Sequence, residues 1–188
     1  LVVLRRRASR EPELLMGMRG SRHRFMPNRL VFPGGAVDRA DLSAPVATPL
    51  SSHTRALLEK KANPALAHAL GIAAARELAE ETGLTLGDPP SLAGLDYLCR
   101  AVTPPPGPVR FNARFLVVDA ELVAGTLAGS GELEDLRFVD IDVAMALDLA
   151  APTLFVIGQL RAWMALGPEE RKARQRTAIF GNRSWRLE

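Results

Sequence analysis

The chain has 188 residues, 47% of them hydrophobic, and a formal net charge of +3, which suffices for one globular domain with a sizeable core and is too short for a second full one. Its single cysteine, Cys99, excludes an intramolecular disulfide framework and suits a reducing cytosol, so a cytoplasmic protein is expected. The three histidines, His23, His53 and His68, share no metal-ligand spacing, and no apolar run reaches the length of a membrane span, which sets aside a zinc site and a membrane partner.

In chain order, Leu1 to Leu4 and Glu13 to Met18 read as strands joined by an arginine-rich turn, and Leu30 to Phe32 as a short strand running into the tight turn Pro33-Gly34-Gly35. Residues 42 to 64 hold three prolines and several Ser and Thr, and read as a mostly irregular surface insertion with one helical patch at Thr54 to Lys60. Pro64 suits the first turn of a helix from about Ala65 to Thr82, which Gly83 ends. Leu95 to Val102 and Phe111 to Asp119 are predicted strands, linked by a stiff proline-rich connector, Thr103 to Pro108. Residues 124 to 131 read as a flexible loop, and Leu136 to Val139 as a strand. Pro152 opens a last substantial helix that is expected to send Leu154, Ile157 and Met164 to the core. A short basic helix begins at Pro168, inside a C-terminal extension of about 168 to 188, and Ile179 to Glu188 is a strand or an ordered tail. Strands before and after one long helix predict a mixed α/β sandwich in a single domain.

The segment with most chemistry is Arg76-Glu77-Leu78-Ala79-Glu80-Glu81-Thr82-Gly83-Leu84. At helical spacing Glu77, Glu80 and Glu81 share one arc, and Ile72, Ala75, Leu78 and Ala79 form the opposite, apolar face. Like charges three and four positions apart repel, so the arrangement gains nothing for the helix alone. A hard divalent cation would turn that repulsion into ligation, because Mg²⁺ and Mn²⁺ take carboxylate oxygen, water and substrate phosphate. Arg76, four residues before Glu80, can hold that carboxylate. A solvated acidic helix face is the bland alternative, and it leaves the arginine, the glycine stop and the Gly-Gly turn unexplained.

Together these residues resemble the Nudix hydrolase signature: a Gly, five residues, Glu, seven residues, then Arg-Glu, an aliphatic, any residue, Glu-Glu, any residue, Gly and an aliphatic. Arg76 to Leu84 matches every specified position of the second half. Counting from Gly35, Asp41 stands where the first Glu belongs, and 34 residues rather than seven separate it from Arg76. That layout is similar to the branch that includes the peroxisomal coenzyme A diphosphatases. The resemblance implies an α/β/α sandwich with an insertion between the Gly-Gly turn and the motif helix. It also implies metal-assisted hydrolysis of a phosphoric anhydride in a nucleoside diphosphate derivative. Glu77, Glu80, Glu81 and the Gly35 carbonyl are then the metal ligands, and Gly34, Asp41, Arg76 and Gly83 support the motif. The general base is left among Glu132, Glu134 and Glu77, and Glu81 counts with them as a catalytic carboxylate through the metal. Family members often form dimers, so a homodimer is expected without an assigned surface.

Eight of the first 35 residues are arginines, against two glutamates. Without interleaved aromatics or a reading motif, that bias favours a phosphorylated small molecule over nucleic acid. Arg19 and Arg24 fall on both arginine positions of the pattern that coenzyme-A-cleaving Nudix proteins carry upstream of Phe-Pro-Gly-Gly. Asn28, Gly20, Gly17 and Leu15-Met16 depart from it. Arg110 and Arg114, four apart on a predicted strand, are second-rank phosphate contacts. The substrates implied are coenzyme A or an acyl-coenzyme A, with ADP-ribose or NADH as the alternative. A non-catalytic sensor of the same fold is the competing class.

Overall fold

A computed structural model describes residues 1–8, 10–20, 29–103, 110–182 and 184–188. Arg24 and most of the proline connector lie outside them. The first strands are β1 (Val2–Arg7), β2 (Arg10–Arg19) and the two-residue β3 (Leu30–Val31). Two helices follow, α1 (Ser52–Glu59) and α2 (Pro64–Thr82), then β4 (Leu84–Thr85), β5 (Asp96–Val102), β6 (Asn112–Asp119), β7 (Ala124–Gly125) and β8 (Leu133–Asp140). The chain ends with α3 (Ile141–Met145), α4 (Ala151–Ala165), α5 (Pro168–Ala173), β9 (Ala178–Gly181) and β10 (Ser184–Leu187).

The main sheet runs β10-β9-β5-β6-β1-β2-β3, with β8 also paired to β2. It is mixed: β1 pairs β6 in parallel and β5 pairs β9 in parallel, and the other pairs are antiparallel. β2 is the organising strand. Leu14 pairs Leu4 on one side and Val139 on the other, whereas Met18 pairs Leu30 and Glu134. β1 and β3 therefore lie end to end along one edge of β2. At their junction the Leu1 nitrogen donates to the Pro33 carbonyl, so the Gly-Gly turn leaves the sheet in its middle.

Alternation along the central strands feeds two cores, because both faces of the sheet are covered. Val2, Leu4, Leu14, Met16 and Val117 pack with Val156, Ile157, Leu160 and Trp163 of α4. On the opposite face Leu1, Val3, Leu15, Tyr97, Leu116 and Val118 pack with Ala67, Ile72, Ala75 and Leu78 of α2. The result is the expected α/β/α sandwich.

Several local expectations need correction. The 42–64 insertion is more than a surface excursion: α1, capped by the Ser51 hydroxyl, buries Leu57 and Leu58, and Leu50 ahead of it is buried too. On α4 the buried positions are Thr153, Val156, Ile157, Leu160 and Trp163, while Leu154 is exposed and Met164 only partly buried. The 124–131 loop is pinned, with β7 pairing β4 and the Ala128 N–H donating to the Thr82 carbonyl. The C-terminal residues fold back as a β-hairpin that extends the sheet.

Candidate functional site

The acidic helix is built as its sequence suggests at both ends. The Asn63 side chain accepts from the Leu66 N–H at 2.8 Å and Pro64 fills the first turn. Gly83 closes the helix in the left-handed conformation, φ +72°, where a β-carbon would also meet the Thr126 carbonyl at 2.8 Å. The last turns of α2 lie over the junction of β1 and β3.

There the Gly34 N–H donates to Glu81 Oε2 at 2.7 Å, which joins turn and helix across 47 residues of sequence. Glu81 is 2% exposed. Burial pushes its carboxyl up to about 7; the Gly34 N–H opposes that rise, and the charges of Glu132 and Glu77 add to it. Gly35 lies against Glu77: a β-carbon there would fall 2.3–2.7 Å from its carboxylate atoms. Only glycine admits that approach.

Arg76 clamps the loop to the helix. Its Nε and Nη2 donate to the two oxygens of Asp41, each at 3.1 Å, and Nη2 also donates to the Ala36 carbonyl at 2.9 Å. Its Nη1 donates to Glu77 at 2.8 Å and to Glu80 at 3.0 Å. Asp41 also accepts from the Asp38 N–H. Burial works to raise the Asp41 carboxyl, but the bonds from Arg76 and Asp38 and the Arg76 charge hold it below its ordinary value. Asp41 thus spans the insertion and holds the turn to the helix despite its shorter side chain.

The predicted site residues are gathered unequally. Glu81, Glu77, Gly34 and Gly35 meet, and the Glu132 charge reaches them. Glu80 is turned outward onto Arg76, more than half exposed, and Ala79, assigned to the apolar face, is exposed. Among the described residues no three His, Cys, Asp or Glu side chains form a group arranged to hold a metal ion. Glu134 is exposed opposite Met18.

Arg19 continues the face of Leu15 and Gly17, on the side of α2, and its buried Nε has no hydrogen-bond partner. Arg110 is exposed. Arg114 donates to the Lys61 carbonyl just before α2 begins, about 20 Å of helix away from Glu77 at 1.5 Å per residue, so it is not brought to the acidic turns. Sequence reading missed the Gly34–Glu81 bond and the Ala36 carbonyl contact, which no local pattern signals.

The donor chemistry fits a hard divalent ion: all-oxygen side chains, one of them buried beside two other carboxylates, next to backbone that only glycine allows so near. Among the described residues no helix is long and apolar enough to cross a membrane.

No family profile and no curated protein matches the chain. Solved structures do. A NUDIX hydrolase from Alicyclobacillus acidocaldarius is 25% identical, with a TM-score of 0.66 over 92% of this chain and 93% of that one. The MutT protein from Bacillus halodurans is 15% identical, with a TM-score of 0.56 over 100% and 95%. The NUDIX domain of NrtR from Shewanella oneidensis, crystallised with ADP ribose, is 17% identical, with a TM-score of 0.52 over 87% and 84%.

Proposed function

For this chain, whose fold is that of solved NUDIX hydrolases, we propose divalent-metal-dependent hydrolysis of the phosphoric anhydride linkage in a nucleoside diphosphate derivative. The observation that carries the reading is the Gly34–Glu81 hydrogen bond, which sets the acidic helix end against the Gly-Gly turn in spite of the long insertion.

Glu81 and Glu77 would hold Mg²⁺ or Mn²⁺ with the Gly35 carbonyl, and Glu80 would join them by leaving Arg76. The ion supplies charge neutralisation at the diphosphate and a more acidic bound water. Arg76 and Asp41 keep Glu77 and the turn in register. Glu132, whose charge already acts on Glu81, is our choice to accept the proton of the attacking water, ahead of Glu134; both are exposed. Arg19, whose buried Nε has no hydrogen-bond partner among the described residues, is the guanidinium we assign to substrate phosphate.

Coenzyme A or an acyl-coenzyme A is the substrate to test first, on the register of Arg19 and Arg24 with the coenzyme A pattern. ADP-ribose and NADH-type dinucleotides are the alternatives. A non-catalytic sensor has in its favour the outward Glu80 and the absence of a ready three-carboxylate group among the described residues. A hydrolysis screen of coenzyme A, acyl-coenzyme A, ADP-ribose, NADH and nucleoside triphosphates with Mg²⁺ and Mn²⁺ decides. Turnover of at least one is expected, and turnover of none transfers the reading to the sensor. If coenzyme A is the substrate, Arg24→Ala should raise its KM roughly tenfold, as for a lost charge-assisted hydrogen bond, and leave 3′-dephospho-coenzyme A nearly unaffected.

A further inference from the structure

A cavity of about 200 Å³ opens beside the end of α2, walled by Val3, Arg5, Leu84, Ala120, Val123 and Phe138. Five of these are apolar, and the sixth is placed with care. The Arg5 guanidinium lies 3.8 Å from the centroid of the Phe138 ring, and its Nε donates to Glu13 at 2.7 Å. That bond fixes the plane of the guanidinium over the ring. Its two terminal nitrogens make no hydrogen bond among the described residues.

The cavity adjoins the acidic site along two walls. Val3 is two residues along β1 from Leu1, about 7 Å at strand rise, and the Leu1 nitrogen meets the carbonyl just ahead of Gly34. Leu84 follows Glu81 by three residues, across the Gly83 stop. A diphosphate at Glu77 and Glu81 would thus have the cavity within reach of one attached sugar.

We propose that this cavity takes the nucleobase of the substrate, as a planar layer between the Arg5–Phe138 stack and the aliphatic wall of Leu84 and Val123. The assignment rests on the diphosphatase reading for the placement of the phosphates. Guanidinium planes stack on aromatic rings, and a nucleobase presents a π-face of that kind to the Arg5 plane. An alkyl chain offers the Arg5 cation no π-face and would cover its terminal N–H groups without pairing them.

The test is methyl NMR of the full chain, with adenosine 5′-monophosphate and ribose 5-phosphate as probes and no metal added. Adenosine 5′-monophosphate should shift the methyls of Val3, Leu84 and Val123, and ribose 5-phosphate should not. Val123→Phe, which fills the cavity, should weaken binding of the nucleotide at least tenfold. Arg5→Gln, which keeps much of the stem, should weaken it at least threefold without affecting ribose 5-phosphate, and it carries the test if Val123→Phe does not fold. Equal binding of both probes with unmoved methyls overturns the assignment, as does a short alcohol that moves those methyls where the nucleotide does not. Because the readout needs neither metal nor turnover, the two readings separate. Nucleotide bound in the cavity of a protein that cleaves no diphosphate removes the activity and keeps the base site. Turnover with the same KM for wild type and Val123→Phe removes the base site and keeps the activity.

Discussion

A carboxylate that is 2% exposed, with two like charges acting on it and one backbone N–H to accept from, is held at a cost to the fold. The Glu81 carboxyl is raised from 4.5 to about 7, so the folded state holds its proton more tightly than the unfolded chain. Its contribution to stability is full below the unfolded value of about 4.5 and is lost as pH rises through about 7. In metal-free protein Glu81→Gln should therefore raise the melting temperature at pH 8, by the equivalent of about 3–4 kcal/mol at most, and show little gain at pH 4.5. A gain that does not depend on pH would mean that the carboxylate is not the strained group. Gly35 offers a second test at this scale. Gly35→Ala puts a β-carbon within 2.3–2.7 Å of the Glu77 carboxylate atoms, and the flexible end of Glu77 can swing away. The expected result is a melting temperature within a few degrees of wild type and a kcat/KM lower by roughly 10- to 100-fold, since misplaced catalytic groups are costly. Normal kcat/KM would show that Glu77 works from another position.

At the scale of elements, the 42–64 insertion belongs to the core that supports α2. Leu58 is 1% exposed, and Leu58→Ala should cost about 2–5 kcal/mol in denaturant unfolding; a change below about 0.5 kcal/mol is what a solvated excursion would give. Asp41→Ala removes two bonds from the Arg76 side chain and should cost about 1–3 kcal/mol, with a fall in activity because Arg76 also holds Glu77. Stability lost with activity retained would separate the clamp from the chemistry. The acidic helix was legible because its signals are local: Pro64 at one end, Gly83 at the other, and charges at three- and four-residue spacing between. The insertion was not, because prolines and hydroxyl residues interrupt the period around Leu50, Leu57 and Leu58. β7 escaped notice because Ala124 and Gly125 have little strand propensity and pair through backbone alone. Leu154 was misplaced because α4 is apolar around much of its circumference, so its sequence marks no single buried face.

Over the whole molecule, the site depends on how one strand is shared. β2 takes β1 and β3 on the same edge, and the junction between them is where the Gly-Gly turn emerges beneath α2. The sequence showed turn and helix as separate signals and, through resemblance, implied their meeting; the 47-residue closure from Gly34 to Glu81 is a property of sheet order that no local pattern encodes. Substrate choice was less legible, since Arg19 and Arg24 count only if an anion meets them. The proposed activity requires the arrangement to bind a divalent ion through the end of α2. The direct measurement is titration of chelator-treated protein with Mn²⁺, followed by electron paramagnetic resonance, for wild type and Glu81→Gln at pH 8. Saturable binding by wild type, with affinity at least tenfold lower in Glu81→Gln, is the predicted result; equal binding by the two proteins, or none by either, would contradict a metal site at Glu81.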